Sequence, residues 1–246
     1  MTVHIDASSF PTVDIIIPAY NPGKFLEEAL ITSLLQTYSG PYTVTVIDDG
    51  STENIRGIFE RVKERYRKAS VAMHLITLPE NQGAAGARNE GIRRTCGEII
   101  VFQDADDFMD EKRLESSISH LVQAPHLMLV CGNFRWILEG IMQPPRFPGP
   151  MRLDAKGLLI DRPILSGSVA IRRDALKKTG LFNAKYEVAE DYDLWVRFLK
   201  HFPEQVKYVH EVWYYYRKHA TEHSLTKRYI GTARMLEIMV EIAAQE

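Results

Sequence analysis

Cysteine is scarce in this chain of 246 residues: Cys96 and Cys131 are the only two. No metal-ligand spacing surrounds either, which leaves two buried thiols in a reduced compartment as the expectation. Long apolar runs are missing as well. None approaches the roughly 20 residues needed to span a bilayer, and the opening MTVHIDASSF has no basic start followed by an apolar core, so it does not read as a signal peptide. The expected location is cytoplasmic. Charge of one sign is also lacking, because 30 Lys and Arg nearly balance 32 Asp and Glu for a net −2. Nothing in that balance points to a nucleic-acid binder living on phosphate contacts. The basic run RVKERYRK (61–68) is a solvated helix face, since Ile58, Phe59, Val62 and Tyr66 recur at helical spacing beside it. The chain carries no internal repeat, and no G-x-x-x-x-G-K-[ST] of a P-loop. Where a Rossmann dehydrogenase would place G-x-G-x-x-G, it has PAYNPG.

What is present is an alternation. DIIIPAY, YTVTVIDDGS, VAMHLITL and EIIVFQD read as strands, separated by helical KFLEEALITSLLQT, ENIRGIFERVKERYRK and GAAGARNEGIRRTC. Alternation with short turns predicts an α/β fold with a parallel sheet covered on both faces. The apolar, non-alternating strands suit burial on both sides. Later, LSGSVAIRRDALKKTG predicts a turn, a strand and a helix closed by Gly180, and EDYDLWVRFLKHFP a helix with acids in its first turn. QVKYVHEVWYYYRKH reads as strand and QPPRFPGP (143–150) as a loop or mobile flap. The C-terminal TKRYIGTARMLEIMVEIAAQE predicts a helix with a polar stripe at Arg234, Glu237, Glu241 and Gln245.

In open α/β sheets, ligands gather beyond the carboxyl ends of the strands. Here those ends carry PAYN (18–21), DDGS (48–51), ENQG (80–83) and QDADD (103–107). Asp104, Asp106 and Asp107 crowd three like charges into four positions, so something positive must offset them or they must face water. Hard cations such as Mg²⁺ and Mn²⁺ take oxygen ligands and share their shell with substrate phosphates, which makes a divalent metal an economical partner for Asp104 and Asp106.

PAYN, DDGS, NQGAAGARN, GEIIVFQDADD and EDYDLW, in this order and spacing over roughly residues 13–220, resemble the family-2 inverting glycosyltransferases with the GT-A fold. The resemblance implies a Rossmann-like, mostly parallel sheet flanked by helices, with a C-terminal helical extension. It divides the chain into a transferase domain over 1–220 and the helix over 221–246, with a nucleotide-sugar half about 13–110 and an acceptor half about 111–220. It implies that Asp106 is the direct metal ligand on the donor diphosphate and that Asp104 faces the donor ribose or sugar. Asp49 would read the edge of a uracil-like base lined by Pro18, Ala19 and Tyr20. Asp191 would be the general base, and its place in the first turn of a helix predicts an ionised side chain at neutral pH. His219 resembles a histidine near the diphosphate and metal. Arg88 either pairs with Asp104 or contacts donor phosphate. Each role has a structural rival: Asp49 as turn former, Asp191 as helix-terminal acid, His219 as a surface histidine. Trp195 and Phe198 read as core. The implied activity is metal-dependent transfer from a nucleoside-diphosphate sugar, UDP or dTDP favoured, to a carbohydrate or lipid-linked hydroxyl. A sugar-nucleotide-forming nucleotidyltransferase and a catalytically idle nucleotide-sugar-binding domain are the alternatives. The C-terminal helix would dock on the body, self-associate or touch a membrane surface.

Overall fold

The computed structural model describes residues 10–149, 151, 153, 157, 164–186, 188–218, 240 and 244. His219 and nearly all of the C-terminal helical stretch lie outside the described residues.

Four strands form the first half of one sheet: β1 (Val13–Ala19), β2 (Tyr42–Asp48), β3 (Ala72–Thr77) and β4 (Ile99–Phe102). They run parallel in the order β3-β2-β1-β4. Between them lie α1 (Phe25–Leu34), α2 (Ile55–Arg65) and α3 (Gly83–Arg94). The apolar run of β1 has its cause in the layers. Ile16 faces a core shared with Ile47, Ile100, Trp195 and Phe198, while Ile15 and Ile17 face another shared with Leu26, Leu30, Phe59 and Val62. Each fully buried isoleucine contributes roughly 1.5–3 kcal/mol, so helices are required on both faces. The basic side chains of α2 are exposed, as its sequence predicts.

The second half is mixed. It comprises β5 (Phe108–Met109), α4 (Arg113–Gln123), β6 (Leu129–Leu138), β7 (Ile141–Pro145), β8 (Val169–Arg172), α5 (Arg173–Thr179), α6 (Glu190–His201) and β9 (Val206–Lys218). β8 joins β4 antiparallel, β6 joins β8 antiparallel, β9 pairs parallel with β6, and β5 closes the edge on β9. Strands β5, β6 and β7 are not legible in the sequence. The QPPRFPGP stretch is therefore only partly a loop: Gln143, Pro144 and Pro145 belong to β7, which pairs with β6 alone. An edge strand tolerates proline because it has no second neighbour to donate to. Gly180 closes α5 with φ +78°, as expected.

Arg173 ties the halves together at the end of the sheet away from the polar turns. It donates to the carbonyls of Gly97 and Ile92 and pairs with the buried Asp14 at 2.7 Å. The expectation of two buried thiols holds for Cys131 only, since Cys96, just after α3, is exposed.

Candidate active site

The ends of β1, β2, β3 and β4 converge on one side of the sheet. Ala19 O accepts the Asp49 N–H at 2.8 Å, and the Asp49 carboxylate accepts the Gln82 N–H at 2.8 Å. Asp49 thus orders the loop that leads into α3. One carboxylate oxygen is spent on that loop, and burial pushes the group's pKa up from its ordinary value, against the backbone hydrogen bonds that lower it. Gly50 permits the approach: its φ is +71°, and a Cβ there would meet the Asn81 nitrogen at 2.9 Å. Tyr20 stands at the mouth with its side chain 54% exposed, while Ala19 is buried and Pro18 half-buried. Asn21, not singled out from sequence, accepts hydrogen bonds from the backbone of Thr52 and Glu53.

Asp104 and Asp107, two of the three aspartates after β4, are offset by groups from elsewhere in the chain. Asp104 accepts from Arg88 Nη2 at 2.8 Å, the pairing named in the first of the two readings of Arg88. The other arm of that guanidinium, Nη1, reaches Glu190 at 2.8 Å. Arg88 is buried over the Phe182 ring, and its two carboxylate partners raise its pKa against the desolvation that lowers it. It therefore clamps α3, the turn after β4 and the start of α6. Asp107 is wholly buried and accepts from Tyr214 Oη at 2.7 Å and the Arg217 N–H at 2.6 Å. Burial first, then Asp106 and Asp104, push its pKa well above the usual carboxylate range. The Arg217 guanidinium donates to the Asp106 carbonyl at 2.8 Å, pairs with Glu28, and lies over the Phe25 and Phe108 rings. Beneath them, Arg113 spans the carbonyls of Phe102 and Val169 and faces Tyr214. Tyr214 leaves no room for a side chain at Gly167, whose Cβ would lie 2.1 Å from its ring.

Asp106 is half-buried beside Asp104. Among the described residues no group of three His, Cys, Asp or Glu converges to hold a metal. A Mg²⁺ or Mn²⁺ that completes its shell with substrate phosphates needs only one or two protein carboxylates. Asp106, with Asp104 next to it, fits such a donor set.

Asp191 occupies the first turn of α6, preceded by Ala189 in the left-handed region at φ +61°. One of its oxygens accepts the Tyr192 N–H at 2.8 Å, and it forms no ion pair among the described residues. The expectation of full ionisation at neutral pH does not hold. Burial and the adjacent Glu190 charge push Asp191 up to about 7, and Arg88 and the Tyr192 hydrogen bond only partly oppose them. The helix dipole contributes a fraction of a kcal/mol to about 2 kcal/mol, less than burial takes away. Trp195 and Phe198 are core, as expected.

Residues 14–180 match the family described as Glycosyl transferase family 2. The chain belongs to that family. It is 29% identical over 204 residues to an uncharacterized glycosyltransferase of Haemophilus influenzae, covering 82% of this chain and 78% of the relative. It is 30% identical over 189 residues to Escherichia coli WfgD, a UDP-Glc:α-D-GlcNAc-diphosphoundecaprenol β-1,3-glucosyltransferase, covering 76% and 70%. The mannosyltransferase PcManGT of Pyrobaculum calidifontis, solved with GDP-Man and Mn²⁺, superposes with a TM-score of 0.72 at 22% identity over 100% of this chain and 67% of that one. Two other matches are longer proteins: the chain spans 33% of an uncharacterized glycosyltransferase of Rickettsia felis and 60% of S. aureus TarS 1–349. The GT-A fold and the standing of this family-2 chain as a glycosyltransferase follow.

Glu190, Tyr214 and Arg217 complete the site and were not assigned to it from sequence. Tyr214 and Arg217 hide in WYYYRK, which reads only as strand. The usable signal was the charge imbalance after β4, which requires cations from elsewhere in the chain.

Proposed function

We propose that this family-2 chain is a metal-dependent, inverting transferase that moves a sugar from a UDP- or dTDP-sugar to a hydroxyl acceptor in glycoconjugate or polysaccharide assembly. The observation that carries the reading is the division of labour at the start of α6. Glu190 is bound to Arg88, whereas its neighbour Asp191 forms no ion pair among the described residues and titrates near neutrality, where a general base works best.

The acceptor hydroxyl attacks the anomeric carbon as the bond from that carbon to the diphosphate oxygen breaks. Its proton passes to Asp191, and one displacement inverts the anomeric centre. Asp104, already oriented by Arg88 and Tyr214, retains lone pairs for hydroxyls of the donor. Asp49 keeps one oxygen for a base that presents a donor, as uracil and thymine do at N3–H. A divalent cation held by Asp106, when bound, stabilises the charge of the departing diphosphate. UDP-Glc and a lipid-diphosphate acceptor in the name of the E. coli relative, and Mn²⁺ in the Pyrobaculum complex, support the reading.

The test compares Asp191→Asn with Glu190→Gln. Asp191→Asn keeps the shape and removes the basicity. Donor binding should stay within a few-fold of wild type while transfer falls by at least about 10². Wild-type transfer by Asp191→Asn with an inactive Glu190→Gln would move the base by one residue. Full activity of both would remove it.

A further inference from the structure

β6 and β9 run side by side beyond the aspartates, with Phe134 opposite Tyr214, Trp136 opposite Tyr216 and Leu138 opposite Lys218. Alternate residues share a face, so Trp136, Tyr216 and Lys218 continue the face on which Tyr214 touches Asp104 and Asp107. At about 3.3 Å per residue, Lys218 lies about 13 Å along the strand from Tyr214. That span, longer than a single sugar ring, leads away from the reaction centre.

Two cations meet on this ledge. The Lys218 ammonium lies 3.7 Å from the centroid of the Trp136 ring, and the Arg146 guanidinium carbon lies 5.0 Å from it. They are therefore at most 8.7 Å apart. Both residues are exposed, and neither has a carboxylate partner among the described residues. Within a Debye length of about 8–10 Å two like charges repel, and among the described residues the electron-rich ring faces of Trp136 and Phe147 offset them. Where the three aspartates call for a cation, this pair calls for an anion. Arginine and lysine held in place on an aromatic surface suit phosphate oxygens.

We propose that Trp136, Arg146 and Lys218 form an acceptor subsite that binds a phosphate or diphosphate group carried by the glycosyl acceptor. The inference rests on the transferase reading, because it takes the ledge to be the acceptor side of the aspartate site. The anion of the acceptor seats against the two cations while the hydroxyl to be glycosylated reaches back towards Asp191. The donor's own diphosphate would lie at the other end of the ledge, where Asp106 would hold a divalent cation that neutralises it.

Trp136 itself reports on this subsite. It is half-buried, whereas Trp195 and Trp213, the only other tryptophans, are each 1% exposed. The full chain, saturated with UDP and Mn²⁺, is titrated with octyl diphosphate and, separately, with octyl glucoside while tryptophan fluorescence is read. Octyl diphosphate should give a saturable change that Trp136→Phe abolishes and added salt weakens, and octyl glucoside should give none. Arg146→Gln and Lys218→Gln should each weaken octyl diphosphate by at least about ten-fold and leave UDP binding within two-fold. Absence of binding by the wild type, or unchanged affinity in both variants, overturns the subsite. Loss of UDP binding in the variants assigns the cations to the donor instead. Loss of binding to phosphatidylglycerol vesicles with octyl diphosphate binding intact assigns them to a bilayer surface, and overturns the proposal equally. Failure of the wild type to bind any nucleotide is a different result, which removes the transferase reading itself.

Discussion

Asp191 shows how far one side chain's surroundings override its position in a helix. The first turn of α6 favours a negative charge, yet burial and Glu190 bring its pKa to about 7. The sign for catalysis is direct. A base works only when ionised, so kcat/KM should rise about ten-fold per pH unit below 7 and level off above it. Asp191→Asn should lose that acid limb together with its rate. Because the Glu190 charge raises Asp191, Glu190→Gln should move the limb to lower pH. A limb that stays in place in Glu190→Gln would mean that another group controls it, and a pH–rate profile at saturating metal reads both outcomes.

The elements meet at Arg88. α3 supplies it, the turn after β4 supplies Asp104, and α6 supplies Glu190, both carboxylates at 2.8 Å from a guanidinium with 8% of its side chain exposed. Removing one member of a buried charge group leaves uncompensated charge and costs about 3–5 kcal/mol. Arg88→Met should therefore lower the unfolding free energy by about that much at pH 7, measured by denaturant titration. Arg88→Lys should not restore full stability, since an ammonium cannot reproduce the two-armed fork. An Arg88→Met protein as stable as wild type would show that the clamp carries no net stabilisation. A second tie, from β9, holds the same turn: Arg217 binds the Asp106 carbonyl and the Asp107 carboxylate while pairing with Glu28 on α1.

At the scale of the molecule, nucleotide and metal binding should add stability by mass action. At 100 times Kd a ligand contributes about 2.7 kcal/mol, which for a chain of this size raises Tm by about 5–10 °C. With Mn²⁺ present, UDP and dTDP should give the largest shifts, GDP a smaller one and CDP the least, because cytosine offers Asp49 an acceptor at N3. Asp106→Ala should lose the metal-dependent part of the shift and keep its unliganded Tm. A larger shift with CDP than with UDP would overturn the role of Asp49. An equal metal-dependent shift in Asp106→Ala would overturn the metal assignment.

The sequence by itself determined the first half of the molecule. β1 to β4 and α1 to α3 announce themselves through local apolar patterns and turn residues, and parallel strands joined by helices place their polar turns on one side of the sheet. Hence PAYN, DDGS and QDADD could be read as one site before any coordinate. The second half resisted because its pairings are long-range and mixed in direction. β5 is two residues long, and β7 contains two prolines that only an edge position permits. Which side chains neutralise the aspartates was equally hidden. Arg88 lies 102 positions from Glu190, and Tyr214 lies 107 from Asp107, so no spacing in the chain could relate them. Only tertiary packing decided that Glu190 is ion-paired while Asp191, among the described residues, is not, and that the half-buried Asp191 titrates near neutrality. Charge and hydropathy patterns report which face of an element is buried. Desolvation and ion pairing depend on what packs against that face, which is a property of the folded molecule.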